Sequence, residues 1–253
     1  MVFLNAAKAK GDEVVVFGIK GITDPKLEKS ADKTHWLAWG DMKKAMMLLL
    51  MERTKKIVLL GKINKEIVFK DTANLDEEAK SVLEKSRDKK DYAILNSVAD
   101  ALKKVGVEII EPTAYLGGLI PSKGIITQRE PSDSEMADVK YGLKIARQLS
   151  DMDIGQSIAV KDKAVVAVEA AEGTDDMILR AGRLVKDGFT VIKVARPEQD
   201  MRFDIPLVGP DTLYSMEKAG ASVLALEACR TFLMDKEEMI KFADSNDISV
   251  VIV

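Results

Sequence analysis

The sequence predicts an α/β protein with two domains: a Rossmann-like N-terminal domain over residues 1–130 and a mixed α+β C-terminal domain over residues 131–253. Strands and helices alternate through the first half, which is typical of a parallel sheet with helices on both faces. The second half opens with a hairpin pattern and continues with strands that are not each followed by a helix. A length of 253 residues fits one large domain or two small ones, and a polar segment around Pro131 separates the two patterns.

The elements of the first half follow from apolar runs and the residues that stop them. Strands are predicted at 14–19, 55–61 and 107–112, and helices at 41–53, 75–86 and 95–106. A doubly wound domain normally opens with a strand and a glycine-rich turn. Residues 6–11 already look like the helix that follows such a turn. We therefore expect the first strand and its phosphate-binding turn to be missing here, most simply because the start site is misplaced.

The second half is predicted to begin with a helix over about 134–149. Residues 157–170 then read as a hairpin that turns at Asp162 and Lys163. The remaining predicted strands are 189–196, 222–229, 231–235 and 248–253, with a helix at 236–246.

Composition excludes several classes of site. Cys229 is the one cysteine and His35 the one histidine, so neither an internal disulfide nor a Cys/His zinc site is expected. Nothing near His35 resembles a nucleophile elbow. A formal charge of −3 provides no basic field for nucleic acid. The longest apolar-rich run, 45–51, is far shorter than a membrane span. We expect a soluble cytoplasmic protein whose metal, if any, binds through oxygen.

Acidic and basic residues cluster where predicted elements end. Glu172 precedes Gly173 at a strand-to-helix turn, where a glycine lets a ligand approach the backbone. The Glu172 carboxylate at this turn suits contact with a metal or a substrate, whereas Thr174 and Asp175 fit plain helix capping. Lys193 lies inside a strand and is either an edge-strand lysine or the partner of a phosphate.

A second group lies in RFDIPLVGPDT, residues 202–212. In an extended chain Arg202 and Asp204 point the same way, and the pair could be no more than a local ion pair. Their apolar neighbours predict partial burial, in which an aspartate binds a hard cation and an arginine holds a phosphate. The Gly-Pro-Asp-Thr sequence that ends at Asp211 and Thr212 then predicts a helix start. Together the oxygen ligands and cations suit Mg²⁺-assisted attack of water on a phosphoester or pyrophosphate.

Three long stretches resemble one known family. They are DIGQSIAVKDKAVVAVEAAEGTDDMI (153–178), VIKVARPEQDMRFDIPLVGPDTL (191–213) and ALEACRTFLMDKEEMIKFADSNDISVVIV (225–253). They closely resemble the C-terminal domain of the UDP-2,3-diacylglucosamine pyrophosphatases of lipid A biosynthesis, LpxI type. The first half is similar too, in 7–21, 39–41 and 59–65.

The resemblance implies Mg²⁺-dependent hydrolysis of UDP-2,3-diacylglucosamine to 2,3-diacylglucosamine 1-phosphate (lipid X) and UMP. It implies a nucleotide-sugar lipid substrate, with possible contact with the inner membrane surface and a possible homodimer. The implied catalytic residue is Asp204, and the implied metal ligands are Asp204, Glu172 and Asp175. The implied substrate-binding residues are Gln156, Ser157, Gly173, Thr174, Lys193, Arg202, Asp211 and Thr212. Two alternatives stay open: a non-catalytic nucleotide- or lipid-binding relative, and a pyrophosphatase for another diphosphate.

Overall fold

The computed structural model describes residues 1–61, 75–85, 91–196, 199–203 and 205–253. Within these ranges the chain forms two contact units, Met1–Gly117 with Met201–Phe203, and Gly118–Asp200 with Asp204–Val253. The sequence predicts a boundary between two domains near residue 130. The two contact units do not test where independently folding domains end, so this boundary stays a prediction. Asp204, residue 86 of a predicted helix, and residues 62–65 of the matching stretch 59–65 lie outside the described residues.

The first unit contains helices and paired strands, including a strand at Lys33–Leu37 that the sequence did not predict. The described helices are α1 (Val2–Ala9), α2 (Met42–Met51), α3 (Glu77–Lys85), α4 (Asp91–Lys104) and the short α5 (Thr113–Leu116). The strands are β1 (Val15–Ile19), β2 (Lys33–Leu37), β3 (Lys56–Ile57) and β4 (Glu108–Ile109). β1 pairs with β2 and β3 pairs with β4, both in parallel. These strands form two separate pairs among the described residues, so one continuous Rossmann-like sheet stays a prediction.

A small apolar core holds α2 and α4 against the strands. Leu49 of α2, Leu102 of α4 and Ile109 of β4 are buried together. Phe203, from the short segment 201–203, packs on the same cluster. α2 contributes only one face to this core, because Met47 and Leu50 on its other side are largely exposed.

The second unit contains a six-stranded mixed sheet, which confirms the predicted α/β class. Its strands are β5 (Gly124–Ile125), β6 (Ser157–Lys161), β7 (Ala164–Val168), β8 (Phe189–Lys193), β10 (Ala221–Leu226) and β12 (Ser249–Ile252). Their order is β5-β12-β10-β8-β6-β7. β8, β10 and β12 run parallel, and the outer pairings are antiparallel. A separate short parallel pair joins β9 (Leu207–Val208) to β11 (Phe232–Leu233).

Both faces of the four central strands are buried, because helices cover each one. The helices are α6 (Asp133–Asp151), α7 (Thr174–Val185), α8 (Pro210–Ala219) and α9 (Lys236–Ser245). The strands show the period of two that a pleated sheet requires. In β8, Phe189 and Val191 face the core beneath α7, α8 and α9, whereas Ile192 faces the core beneath α6.

Two close contacts set the positions of elements near the sheet. Asp162 and Lys163 have positive φ in the β6–β7 turn, and both of their N–H groups donate to Asp138 of α6. Gly182 of α7 lies so close to α8 that a Cβ there would be 2.5 Å from the carbonyl oxygen of Ala219. Backbone therefore touches backbone where α7 and α8 meet.

Candidate active site

Most of the residues that the sequence singled out lie at or near one end of the neighbouring strands of the sheet. Ser157 at the start of β6 pairs in register with Lys193 at the end of β8. Leu226 at the end of β10 pairs with Lys193 from the other side, and Glu169 just after β7 donates its N–H to the Ser157 carbonyl. These residues form a row across four adjacent strands. β8 therefore lies inside the sheet, so the edge-strand interpretation of Lys193 is wrong.

The centre of this row is the hydroxyl of Thr174. Lys193 Nζ donates to Thr174 Oγ1 at 3.0 Å, and Thr174 Oγ1 donates to Glu169 Oε1 at 3.0 Å. Ser157 Oγ is 3.2 Å from the same hydroxyl. Thr174 has a single hydroxyl hydrogen, which Glu169 accepts, so Ser157 must be the donor in the third contact. The network links a cation to a carboxylate through one hydroxyl.

Gln156 extends the network to the turn that follows β8. Its backbone N–H donates to Glu169 Oε2 at 3.3 Å, and its carbonyl accepts from Val194. Its side-chain amide donates to Gln199 Oε1 at 3.0 Å, which also accepts the Arg196 N–H at 3.0 Å. Gln199 thereby fastens the turn to the strand that carries Ser157.

Two helix N-termini face this region without a side-chain cap. α7 begins after Gly173, whose φ of 90° favours glycine, and α8 begins after Gly209. Helix capping by Thr174 is therefore not observed: Thr174 is the first helical residue, and the N-cap is Gly173. Uncapped N–H groups at helix starts are suited to bind anions.

A direct contact joins the starts of α7 and α8. Thr212 Oγ1 donates to Asp175 Oδ1 at 3.2 Å, and Thr212 is buried. Asp211 lies in the first turn of α8 and is exposed. The structure thus brings Asp175 and Thr212 together, and Asp211 is the neighbour of Thr212 in sequence.

Glu172 is engaged elsewhere. Its Oε1 accepts from Arg180 Nη2 at 2.6 Å, and its Oε2 accepts the Ala170 N–H at 3.2 Å. The hydrogen bond from its own backbone N–H and then the Arg180 guanidinium hold the pKa of Glu172 below its usual value. The carboxylate stays ionised and braces the turn that leads to Gly173.

The peptide of Ala195 is held on both sides. Its N–H donates to Glu227 Oε2 at 3.1 Å, and its carbonyl accepts from Ser150 Oγ at 3.3 Å. Arg147 at the end of α6 donates to the other oxygen of Glu227 at 2.8 Å and 3.1 Å. This clamp, formed by Glu227, Arg147 and Ser150, fixes the chain two residues beyond Lys193.

Arg202 is placed in the first contact unit. Residues 201–203 form a turn, so the extended segment expected through Arg202 is wrong there. The guanidinium carbon lies 4.6 Å from the centroid of the Phe203 ring. Asp204, the predicted catalytic residue, lies outside the described residues.

The described carboxylates do not by themselves fit a metal ion. No group of three or more His, Cys, Asp or Glu side chains with suitable geometry is present within the ranges that the structure describes. Both oxygens of Glu172 already accept hydrogen bonds, and Asp175 accepts one from Thr212. We therefore assign no chemical step to a metal.

Sequence reasoning missed three residues that organise the site: Glu169, Gln199 and Glu227. Glu169 comes directly after β7 and Glu227 directly after the buried strand β10, and an acid that directly follows a strand is a signal that sequence alone offers. Gln199 gives no such signal, because an amide in a polar turn is ordinary.

Comparisons with known proteins cover nearly the whole chain. Residues 1–119 match the LpxI N-terminal domain and residues 122–251 match the LpxI C-terminal domain. A protein of Caulobacter vibrioides named UDP-2,3-diacylglucosamine pyrophosphatase LpxI is 28% identical over 257 residues, which cover 96% of this chain and 90% of that protein. The bifunctional purine biosynthesis protein PurH of Bradyrhizobium diazoefficiens is 28% identical over 131 residues, which cover 50% of this chain and 24% of that protein. With both of its domains matched, the chain belongs to the LpxI family.

Proposed function

We propose that this chain hydrolyses the pyrophosphate bond of UDP-2,3-diacylglucosamine. Water adds to one phosphorus, the P–O–P bond breaks, and the products are UMP and 2,3-diacylglucosamine 1-phosphate. The observation that carries the proposal is the match to both LpxI domains, together with a relative of that name aligned over 96% of the chain. We further propose that the reaction takes place in the cytoplasm.

Several described residues support the proposal of a diphosphate substrate. Lys193 provides a positive charge beside the start of α7, and Gly173 allows close approach of an anion to the backbone. Thr174 and Ser157 offer hydroxyls at the same point. Held by Glu169 rather than by solvent, these groups need little reorganisation when the substrate binds.

Asp204 is the proposed catalytic residue, because Arg202, Asp204 and Pro206 lie in the stretch 191–213 that resembles the C-terminal domain of the family. Dependence on Mg²⁺ is part of the proposal, with Asp204, Asp175 and Glu172 as candidate ligands. Glu172 would have to exchange its bond with Arg180 for the metal, which makes it the least favoured of these ligands.

The test is hydrolysis of UDP-2,3-diacylglucosamine with Mg²⁺ and again with EDTA. We expect release of UMP that EDTA abolishes and that Asp204→Ala lowers by at least about 100-fold. Asp187→Ala is the matched control, because the Asp187 side chain is 87% exposed. UDP-N-acetylglucosamine, which lacks the acyl chains, serves as a second substrate. A wild-type protein that releases no UMP from the diacylated substrate would overturn the proposal.

A further inference from the structure

The outer face of α2 is apolar although it is exposed. Met47, Leu50 and Met51 are 53%, 54% and 69% exposed. At 100° per residue these three side chains fall on one side of the helix, within an arc of about 120° that also contains Lys43 and Lys44. We call these five residues the α2 face. Monomeric proteins seldom leave contiguous apolar residues in water without a partner.

Exposed cations lie in the first turn of α2 and in the residues that follow the helix. Lys43 and Lys44 occupy its first turn and are exposed, and Arg53, Lys55 and Lys56 follow the last turn and are exposed too. Lysine and arginine stems can lie along an apolar surface while their charges reach a polar layer. The result is a stripe of large apolar side chains with positive charge at both ends.

The two acids that flank α2 in sequence, Asp41 and Glu52, have partners outside the α2 face. Glu52, next to the end of α2, is paired with Lys33 at 2.5 Å and His35 at 2.7 Å. Asp41, before the start of α2, accepts the Ala38 N–H at 2.9 Å. Asp76 accepts the backbone N–H of Lys43 at 2.6 Å, which places a carboxylate at the helix start but leaves the Lys43 ammonium group exposed. The α2 face itself therefore carries no negative charge from its own helix.

We propose that the α2 face docks on a membrane surface that contains anionic lipids. A helix with an apolar stripe and flanking lysines lies in the interface, with its apolar side chains among the upper acyl chains and its cations at the phosphates. Methionine and leucine suit such an irregular, fluid partner. Lysine is depleted in protein–protein interfaces, so Lys43 and Lys44 favour lipid phosphates over a protein partner. The inference goes beyond the proposed activity, and it fits a substrate that carries two acyl chains.

The test is sedimentation of the full chain with lipid vesicles, without substrate. One set of vesicles contains equal parts of phosphatidylglycerol and phosphatidylcholine, and the other contains phosphatidylcholine alone. We expect binding to the first set and little to the second. Lys43→Gln/Lys44→Gln should weaken binding about 25-fold, because each lysine near an anionic surface contributes roughly fivefold. The triple variant Met47→Gln/Leu50→Gln/Met51→Gln should weaken it by more than about tenfold.

A matched control removes the same number of exposed apolar side chains from the second unit. Met152, Ile154 and Leu184 are 60%, 46% and 63% exposed, and replacing all three by Gln should leave vesicle binding unchanged. Equal loss in this control, equal binding to both vesicle sets, or no binding at all would overturn the proposal. So would light scattering that shows a wild-type dimer and a monomeric α2 triple variant, because the α2 face would then join two copies of the chain.

Hydrolysis of detergent-dispersed substrate separates this inference from the proposed activity. The α2 triple variant should retain wild-type turnover on dispersed substrate and lose turnover on substrate embedded in anionic vesicles. If the wild-type protein binds vesicles but hydrolyses neither dispersed nor embedded substrate, the proposed activity is contradicted and the proposed docking surface is still supported.

Discussion

Replacing Glu227 by alanine should disturb the candidate site indirectly, through the end of strand β8 that carries Lys193. The Glu227 carboxylate accepts the Ala195 N–H and two hydrogen bonds from Arg147. Ala195 is 2% exposed, so its N–H would lose its partner without gaining water in exchange. Lys193, two residues earlier, depends on this strand end for its position beside Thr174.

The loss of stability expected for Glu227→Ala is the sum of two contributions, one from the Ala195 N–H and one from Arg147. An unsatisfied buried amide costs roughly 1–3 kcal/mol. The bond to Arg147 contributes less, under about 1 kcal/mol, because the Arg147 side chain is 52% exposed. For a total near the middle of this range, about 2 kcal/mol, Glu227→Ala should lower the Tm by about 4–8 °C, at about 2–4 °C per kcal/mol for a chain of this size. Glu227→Gln keeps an acceptor for Ala195 and should lower it by less than about 4 °C.

Thermal unfolding and steady-state hydrolysis measure the two consequences. If the strand end moves by about 1 Å, kcat/KM should fall roughly 100-fold. The fall should be larger for Glu227→Ala than for Glu227→Gln, at a temperature where both are folded. Glu217→Ala, at an exposed position on α8, is the control for loss of a glutamate.

Two results would refute the reasoning about Glu227. A Tm for Glu227→Ala equal to that of the Glu217→Ala control would mean that the Ala195 N–H needs no protein acceptor. A lowered Tm with unchanged kcat/KM would confine Glu227 to a structural role and remove it from the positioning of Lys193.

Two further perturbations probe the packing and the charges of the second unit. Gly155→Ala would place a Cβ 2.0 Å from the backbone oxygen of Glu169, so we expect a loss of about 1–3 kcal/mol in thermal unfolding together with lowered turnover. Gly117→Ala, where no heavy atom lies within 4 Å, should change neither. Burial opposes ionisation of Glu135, but Arg129 and other hydrogen-bond donors outweigh it and hold its pKa below the usual value. This stabilisation is complete above the unfolded-state glutamate pKa and is lost as pH falls through the lowered pKa. The Tm of Glu135→Gln should therefore fall less on acidification than that of wild type, and equal falls would contradict the assignment.

Sequence alone predicted the second unit well, for a physical reason. Strands buried on both faces read as long apolar runs, and the predicted strands 189–196, 222–229 and 248–253 correspond to β8, β10 and β12. In the first unit β2 was missed, because Lys33 to Leu37 mixes charged and aromatic residues without a clear apolar run. Only Lys56–Ile57 of the predicted strand 55–61 is paired among the described residues.

The candidate site shows which inferences residue type can support. Lys193 was singled out as a charged residue inside a strand, and Thr174 as a residue suited to cap the helix that follows Gly173. Their partners could not be, since the contacts of Thr174 with Glu169 and Lys193 join residues that come together only in the folded sheet. The capping role expected for Thr174 gave way to these tertiary contacts.

The close contact between Gly182 and Ala219 sets the distance between α7 and α8 at one end of the two helices. Asp175, at the other end of α7, lies about 10 Å from Gly182 along the helix axis. A single methyl group at position 182 would push α7 away from α8. The same displacement would change the distance between Asp175 and Thr212. The spacing of the two helix starts therefore depends on a residue at the far end of the contact between α7 and α8, which makes position 182 a remote place from which a substitution would alter the candidate site.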